Sequence, residues 1–204
     1  MSVKTLREQH AEATRTALIS AARQLFSERG YADVSAEQIC KVAQVTRGAL
    51  YHHFKDKKDL FNAVAEQVSN ELTAKVREAA FANISSVDDP RPLLLEGCHA
   101  FLDACIEGDF QRIVILEAPT IVGWNEWREH AEQHELELMQ LGLRVAMDAG
   151  VVEEQPVDVL APLLMAVLNE GAMLIARADD KQAMRAVVGD TIDRIFHGLS
   201  KPGA

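Results

Sequence analysis

The sequence predicts an all-α protein of about nine helices, an N-terminal three-helix helix-turn-helix unit followed by a larger helical domain. Three observations carry this. Apolar residues recur at helical spacing along nearly the whole chain, and no period-2 alternation is long enough for a half-buried strand. Capping residues and Gly/Pro breaks divide that pattern into helix-sized pieces. The 204 residues, 48% apolar and 25% charged, suffice to bury a core and lie far from the composition of a disordered chain.

Taken in order, the first helix is expected over residues 12–29, where Leu18, Ala21, Ala22, Leu25 and Phe26 form one stripe and Gly30 ends it. Ser35, followed by Glu37 and Gln38, has the form of an N-cap opening a short helix through Ile39 and Val42. A break at Gln44 and Val45 leads to a second cap, Thr46, and a second short helix over residues 47–53. Ile39, Val42, Val45, Leu50 and Phe54 are placed to hold both short helices on the first. Asp56 caps a fourth helix bearing Leu60, Val64, Val68, Leu72 and Val76, which SSVDDPRP breaks near residue 85.

Further helices are expected over residues 92–107, 110–117, 124–149, 159–178 and 181–199, with Gly or Pro in the breaks before residue 159. The helix over 159–178 is apolar most of the way round, so it must be buried on two sides, one of which suits a second chain. Pro162 costs it a hydrogen bond, and Asn169 and Glu170 interrupt it and need polar partners from a ligand or across a dimer. The last helix repeats Met184, Val187, Val188, Thr191, Ile192, Ile195, Phe196 and Leu199 along one seam.

A net charge of −10 and a pI near 5.2 argue globally against a nucleic-acid partner. The distribution argues the other way. Residues 1–62 hold 10 Lys+Arg against 7 Asp+Glu, net +3, which leaves 11 against 24, net −13, for residues 63–204. The same bounds divide the chain into a basic reader domain and an acidic helical domain. Cys40, Cys98 and Cys105 lack C-x-x-C spacing, so reduced thiols are expected rather than a disulfide framework or a zinc knuckle. No uninterrupted apolar run approaches the roughly 20 residues of a bilayer span, and MSVKTLREQH lacks the apolar core of an export signal. The expectation is a cytoplasmic protein with no membrane partner.

Residues 35–54 combine a capped short helix, a tight turn and a second short helix that begins Thr46-Arg47-Gly48. A helix fits the major groove of duplex DNA, and its first turn presents side chains to base edges and free N–H groups to phosphates. Arg47 suits a bidentate contact to guanine, Gly48 a close backbone approach, and Tyr51 and His52 donation to phosphate, with Lys57 opening the next helix on the same side. AARQLFSERGY, VSAEQICKVAQVTRGALYHHF and KDKKDLF together resemble the reader of the tetracycline-repressor (TetR) family of bacterial transcription regulators over residues 15–64. Gln44 stands where that pattern has a turn glycine, and Cys40 where it has a small alanine.

The resemblance implies DNA-backbone contacts from Ser35, Tyr51, His52 and Lys57, and base or groove contacts from Thr46, Arg47 and Gly48. It implies a homodimer on a palindromic double-stranded operator, paired through a four-helix interface, for which Leu164, Leu168, Ile175, Val188, Ile192, Ile195 and Phe196 are the candidates. It also implies a small-molecule effector in the C-terminal domain, with repression relieved by that effector. Candidate pocket residues are the aromatic and sulfur side chains Phe101, Cys105, Trp124, Trp127, Met165 and Met173, with Asn169 as the polar group.

Other constellations read as plain structure. His130 and His134 lie four apart in a charged stretch without further converging ligands, so no metal is assigned. Cys98 and Cys105 share a helix face but read as small buried residues rather than a redox pair. No nucleophile, base and orienting group appear at usable spacing, and no Gly-rich phosphate loop, so neither catalytic residues nor a cofactor are assigned. The alternatives are a helical adaptor that binds a ligand or protein without DNA, and an enzyme in the C-terminal domain.

Overall fold

The computed structural model describes residues 5–78, 87–106 and 108–200, and within 124–134 only the side chain of residue 127. Among these residues nine helices form an all-α fold whose only extended pairing is one bridge between Val152 and Ser200. Helix α1, Leu6–Arg29, begins well before its apolar stripe. A capping box starts it, with the Thr5 hydroxyl accepting from the Glu8 amide at 3.3 Å and the Glu8 carboxylate accepting from the Thr5 amide at 2.7 Å. A second box, Ser35 with Gln38, opens α2, Ala36–Ala43. The Thr46 hydroxyl accepts from the Ala49 amide at 3.2 Å and opens α3, Arg47–His53.

The turn between α2 and α3 places Gln44 at φ +57°, ψ +38°. A side chain in this left-handed region costs about 1–2 kcal/mol, the strain expected where glycine is replaced. Asp56 caps α4, Lys57–Val76, whose expected end near residue 85 lies outside the described residues. Helix α5 is Arg91–Ala104. Helix α6 joins a π-helical stretch, Phe110–Glu117, to an α-helical turn, Ala118–Ile121, so it runs through the segment expected to break it and stops at Gly123. The long helices α7, Trp124–Asp148, α8, Val157–Arg177, and α9, Lys181–Gly198, complete the chain. Because α8 starts ahead of the expected boundary, Pro162 lies inside it. By length and composition α8 would pass for a membrane span, but just over half of its apolar window is buried within the bundle as a core helix.

The first three helices close around Leu18, Phe26, Ile39 and Leu50, all fully buried. Val42, expected to join them, is 46% exposed on the outer side of α2. Helix α4 packs on α1 and also on α5, α6 and α7, so it belongs to both halves of the molecule. A polar joint reinforces this. Arg23 of α1 binds Glu71 of α4 at 2.7 Å and also Asp109, just ahead of α6, which accepts from the Ser27 hydroxyl at 2.6 Å. Burial would raise the Asp109 carboxyl, but the hydrogen bonds from Ser27 and Arg23 hold it below the usual carboxylate range. Glu117 of α6 accepts from the Tyr31 amide at 3.0 Å, and Lys58 of α4 donates to the Val122 carbonyl at 3.1 Å.

Gly30 sits inside this joint at φ +85°, ψ +161°, a conformation only glycine adopts readily, and a β-carbon there would lie 2.6 Å from a Glu117 oxygen. Gly30→Ala is therefore expected to destabilise the protein by about 1–3 kcal/mol and lower its melting temperature by several degrees. Thermal unfolding followed by circular dichroism measures this, and an unchanged melting temperature would contradict the tight joint.

Candidate nucleic-acid interface and effector cavity

The reader face is assembled from short-range rules. Caps fix where α2 and α3 begin, the left-handed Gln44 fixes the angle between them, and Ile39, Leu50 and Phe54 anchor them inward. The outward residues are Ser35, Lys41, Thr46, Arg47, Gly48, Tyr51, His52 and Lys55, all exposed. Six of the seven residues expected to touch DNA are thus exposed, Ser35 at the start of α2 and the other five at the start and along α3. The Arg47 guanidinium lies 5.9 Å from the Tyr51 ring centroid, which extends it along the helix face. Lys41 and Lys55, two further exposed cations, were missed because they lie outside the resemblance's contact positions.

Lys57 is placed differently. Its ammonium donates to the carbonyls of Tyr31 and Val34, both at 2.8 Å, and sits 3.9 Å from the Tyr31 ring centroid. Burial pulls it below the usual lysine range. Two of its three protons are spent bracing the loop between α1 and α2, so its first role is structural. Behind that brace, Phe26, Tyr31 and Phe61 pack edge to face or tilted, with ring centroids 5.2–5.6 Å apart. His53 is half-buried against Phe54, and burial, then His52 and Arg15, lower its pKa, so it supports the helix rather than facing outward.

In the larger domain a pocket opens between α4, α5, α7 and α8, with a cavity of about 50 Å³ inside about 450 Å³ of space between atoms that includes open solvent. Phe101 and Met165, two of the candidate pocket residues, are among its lining. Cys105, Trp127 and Met173 are buried elsewhere in the core, and the Trp127 indole donates to the Val114 carbonyl at 2.9 Å. Asn169 is half-buried and Glu170 exposed on α8, neither among the cavity's lining. Trp124, His130 and His134 lie outside the described side chains. Among the lining residues not foreseen is Glu135, a carboxyl among apolar side chains. Its signal was legible: Glu135, Leu138, Met139, Leu143 and Ala146 continue one stripe on α7.

The expected dimer residues also need relocation. Leu164, Leu168, Ile175, Val188, Ile192 and Phe196 are buried within the single chain, and Ile195 is half-buried. They fasten α8 to α9 and the bundle, where Gly171 permits such close approach that a β-carbon would lie 2.8 Å from Val188. The large apolar residues left open on these helices are Val159, Leu163, Val167, Leu174 and Val187.

A capped two-helix reader held on α1 and joined through α4 to a helical bundle with an apolar cavity is the architecture of a helix-turn-helix protein. Residues 18–64 match the family described as "Bacterial regulatory proteins, tetR family", and residues 92–199 match "Tetracyclin repressor-like, C-terminal domain". The crystal structure of a TetR-family transcriptional regulator from Pectobacterium atrosepticum is similar over 97% of this chain and 98% of its own, with TM-score 0.85 and 34% identity. The transposon Tn10 TetC protein of Escherichia coli is 33% identical over 126 residues, and the regulator UidR of Escherichia coli strain K12 is 41% identical over 68. These stretches cover 62% and 33% of this chain, and span 61% of TetC and 35% of UidR. The chain belongs to the TetR family.

Proposed function

We propose that the protein is a cytoplasmic, homodimeric repressor that holds a palindromic operator through α2 and α3 and releases it when a small molecule occupies the C-terminal bundle. The observation that carries this is the open face of α3, with Thr46, Arg47 and Gly48 exposed at its N-terminal end and Tyr51 and His52 exposed toward its C-terminal end. Contacts of that kind divide into phosphate anchors, here Ser35, Tyr51 and His52 with Lys41 and Lys55 nearby, and base readers, here Arg47 with Thr46 and Gly48.

Dimerisation is assigned to the open apolar residues of α8 and α9, headed by Leu163 and Val187. Operator half-sites in successive major grooves lie about 34–36 Å apart, so a ligand that changes the reader separation by a few ångströms prevents simultaneous docking. Such a ligand needs only different affinities for the two arrangements. No catalytic role is assigned to either half.

The test is selection of genomic fragments by the purified protein, starting with the DNA upstream of its own coding sequence, followed by salt titration of the best fragment. A palindromic fragment retained with a steep salt slope is expected. Arg47→Ala should weaken that complex by about 1–3 kcal/mol, roughly 10- to 100-fold, and relax preference at one base pair per half-site. Dimers that retain no DNA at any salt concentration would refute the reading.

A further inference from the structure

The cavity between α4, α5, α7 and α8 has an unusual chemistry for its size. Leu72, Leu94, Phe101, Leu138 and Met165 give it apolar walls on all four sides. The Thr73 hydroxyl is engaged with the Ser69 carbonyl, so it offers little to a guest. Glu135 enters this wall from α7 with no hydrogen bond or ion pair among the described residues, and no Lys or Arg is among the described residues that line the space. Glu135 keeps partial surface exposure, while protein surrounds its carboxyl. The surrounding domain carries net −13, with 11 Lys+Arg against 24 Asp+Glu over residues 63–204. Its field repels anions and attracts cations.

A carboxyl left unpaired in an apolar enclosure is costly, and a guest that supplies the opposite charge removes the cost while its own hydrocarbon fills the walls. A negatively charged guest would meet a carboxyl and no counter-ion among the described lining residues. We propose that this cavity binds a small molecule with an apolar body and a single cationic nitrogen, which pairs with the Glu135 carboxylate. The proposal rests on the effector reading of the C-terminal domain and gives that effector a chemical class.

Burial pushes Glu135 up to about 8, so its carboxyl is mostly protonated at neutral pH. Pairing with a cation displaces that proton. Affinity for the cation should therefore rise as pH increases from 6 to 8, by up to about tenfold per unit, and level off above. Cys98 on α5 is the other titratable group among the described lining residues. Burial pushes its thiol up to about 12, so it stays neutral across that range. A neutral guest that accepted a hydrogen bond from the protonated carboxyl would show the opposite trend.

The experiment uses three probes that share a phenethyl body on the purified protein, phenethylammonium, 2-phenylethanol and 3-phenylpropanoate, followed by calorimetry and thermal shift. Phenethylammonium is expected to bind about tenfold or more tightly than either other probe. Glu135→Gln should abolish that preference and leave the alcohol's affinity within about twofold, while Glu135→Asp, which keeps a carboxyl, should retain part of it. Equal affinity for the three probes, no binding by the cation up to millimolar concentration, or unchanged cation affinity in Glu135→Gln would overturn the assignment. Operator affinity is measured in parallel. Binding that depends on Glu135 but leaves the DNA complex intact upholds the cavity assignment and overturns only the effector reading.

Discussion

Replacing Phe26 by alanine is expected to cost about 3–5 kcal/mol, close to the whole stability of many domains. Phe26 is fully buried, and its ring packs 5.6 Å from Tyr31 and 5.3 Å from Phe61. It therefore joins α1, the loop braced by Lys57, and α4. Truncation removes a large apolar side chain and two aromatic pairings, and leaves a void that helices fixed by caps at both ends cannot close. Urea unfolding should show a much lower midpoint with little change in slope, and operator binding lost in proportion to the unfolded fraction. Phe26→Leu, which keeps most of the volume, should retain more than half of the lost stability. A cost under about 1 kcal/mol for the alanine variant would mean that the reader is not held through this cluster.

The second large effect is at the opposite end of the molecule. Leu163 is 60% exposed on α8, so its removal costs the single chain little, and Leu163→Glu should leave secondary structure and reader intact. In a two-fold interface the substitution appears twice, and each carboxylate would be desolvated without a partner, at several kcal/mol per site. The variant is expected to sediment as a monomer at micromolar concentration and to lose operator affinity by about 100-fold or more, because one reader engages only one half-site. Glu at the buried Leu164, by contrast, should unfold the chain. A Leu163→Glu protein that stays dimeric would move the interface away from this face.

The helical class, the capped reader and its outward residues were legible in the sequence because they follow from local rules. Ser35, Thr46 and Asp56 act as caps, and Gln44 adopts the backbone that its position in the turn demands. What was not legible depends on three-dimensional neighbours. A lysine at the start of α4 looks the same in sequence whether it meets phosphate or, as Lys57 does, the carbonyls of Tyr31 and Val34. Val42 and Val45 fall on the same short helix-turn segment, and only packing decides that Val42 stays outside. A helix that is apolar all round announces two buried faces but not which one its own bundle uses, so Leu164 and Leu168 were read outward where Leu163 and Val167 are. The early start of α1 rests on the Thr5 and Glu8 capping box alone, because that turn carries no apolar stripe. The widened helical register over residues 110–117 has no sequence signature at all.

The joint around Gly30 sets a limit on modularity. Reader and bundle are often pictured as interchangeable parts, yet severing this chain after residue 62 would strip Arg23 of both its carboxylates, the Tyr31 amide of Glu117 and Lys58 of its carbonyl. A chimera that grafts this reader onto a foreign bundle would thus inherit several unmet polar groups at its seam unless residues equivalent to Glu71, Asp109 and Glu117 travel with it. A later cut after residue 122 would in turn part His99 from Asp193, Asp103 from Arg185 and Gln111 from Lys181.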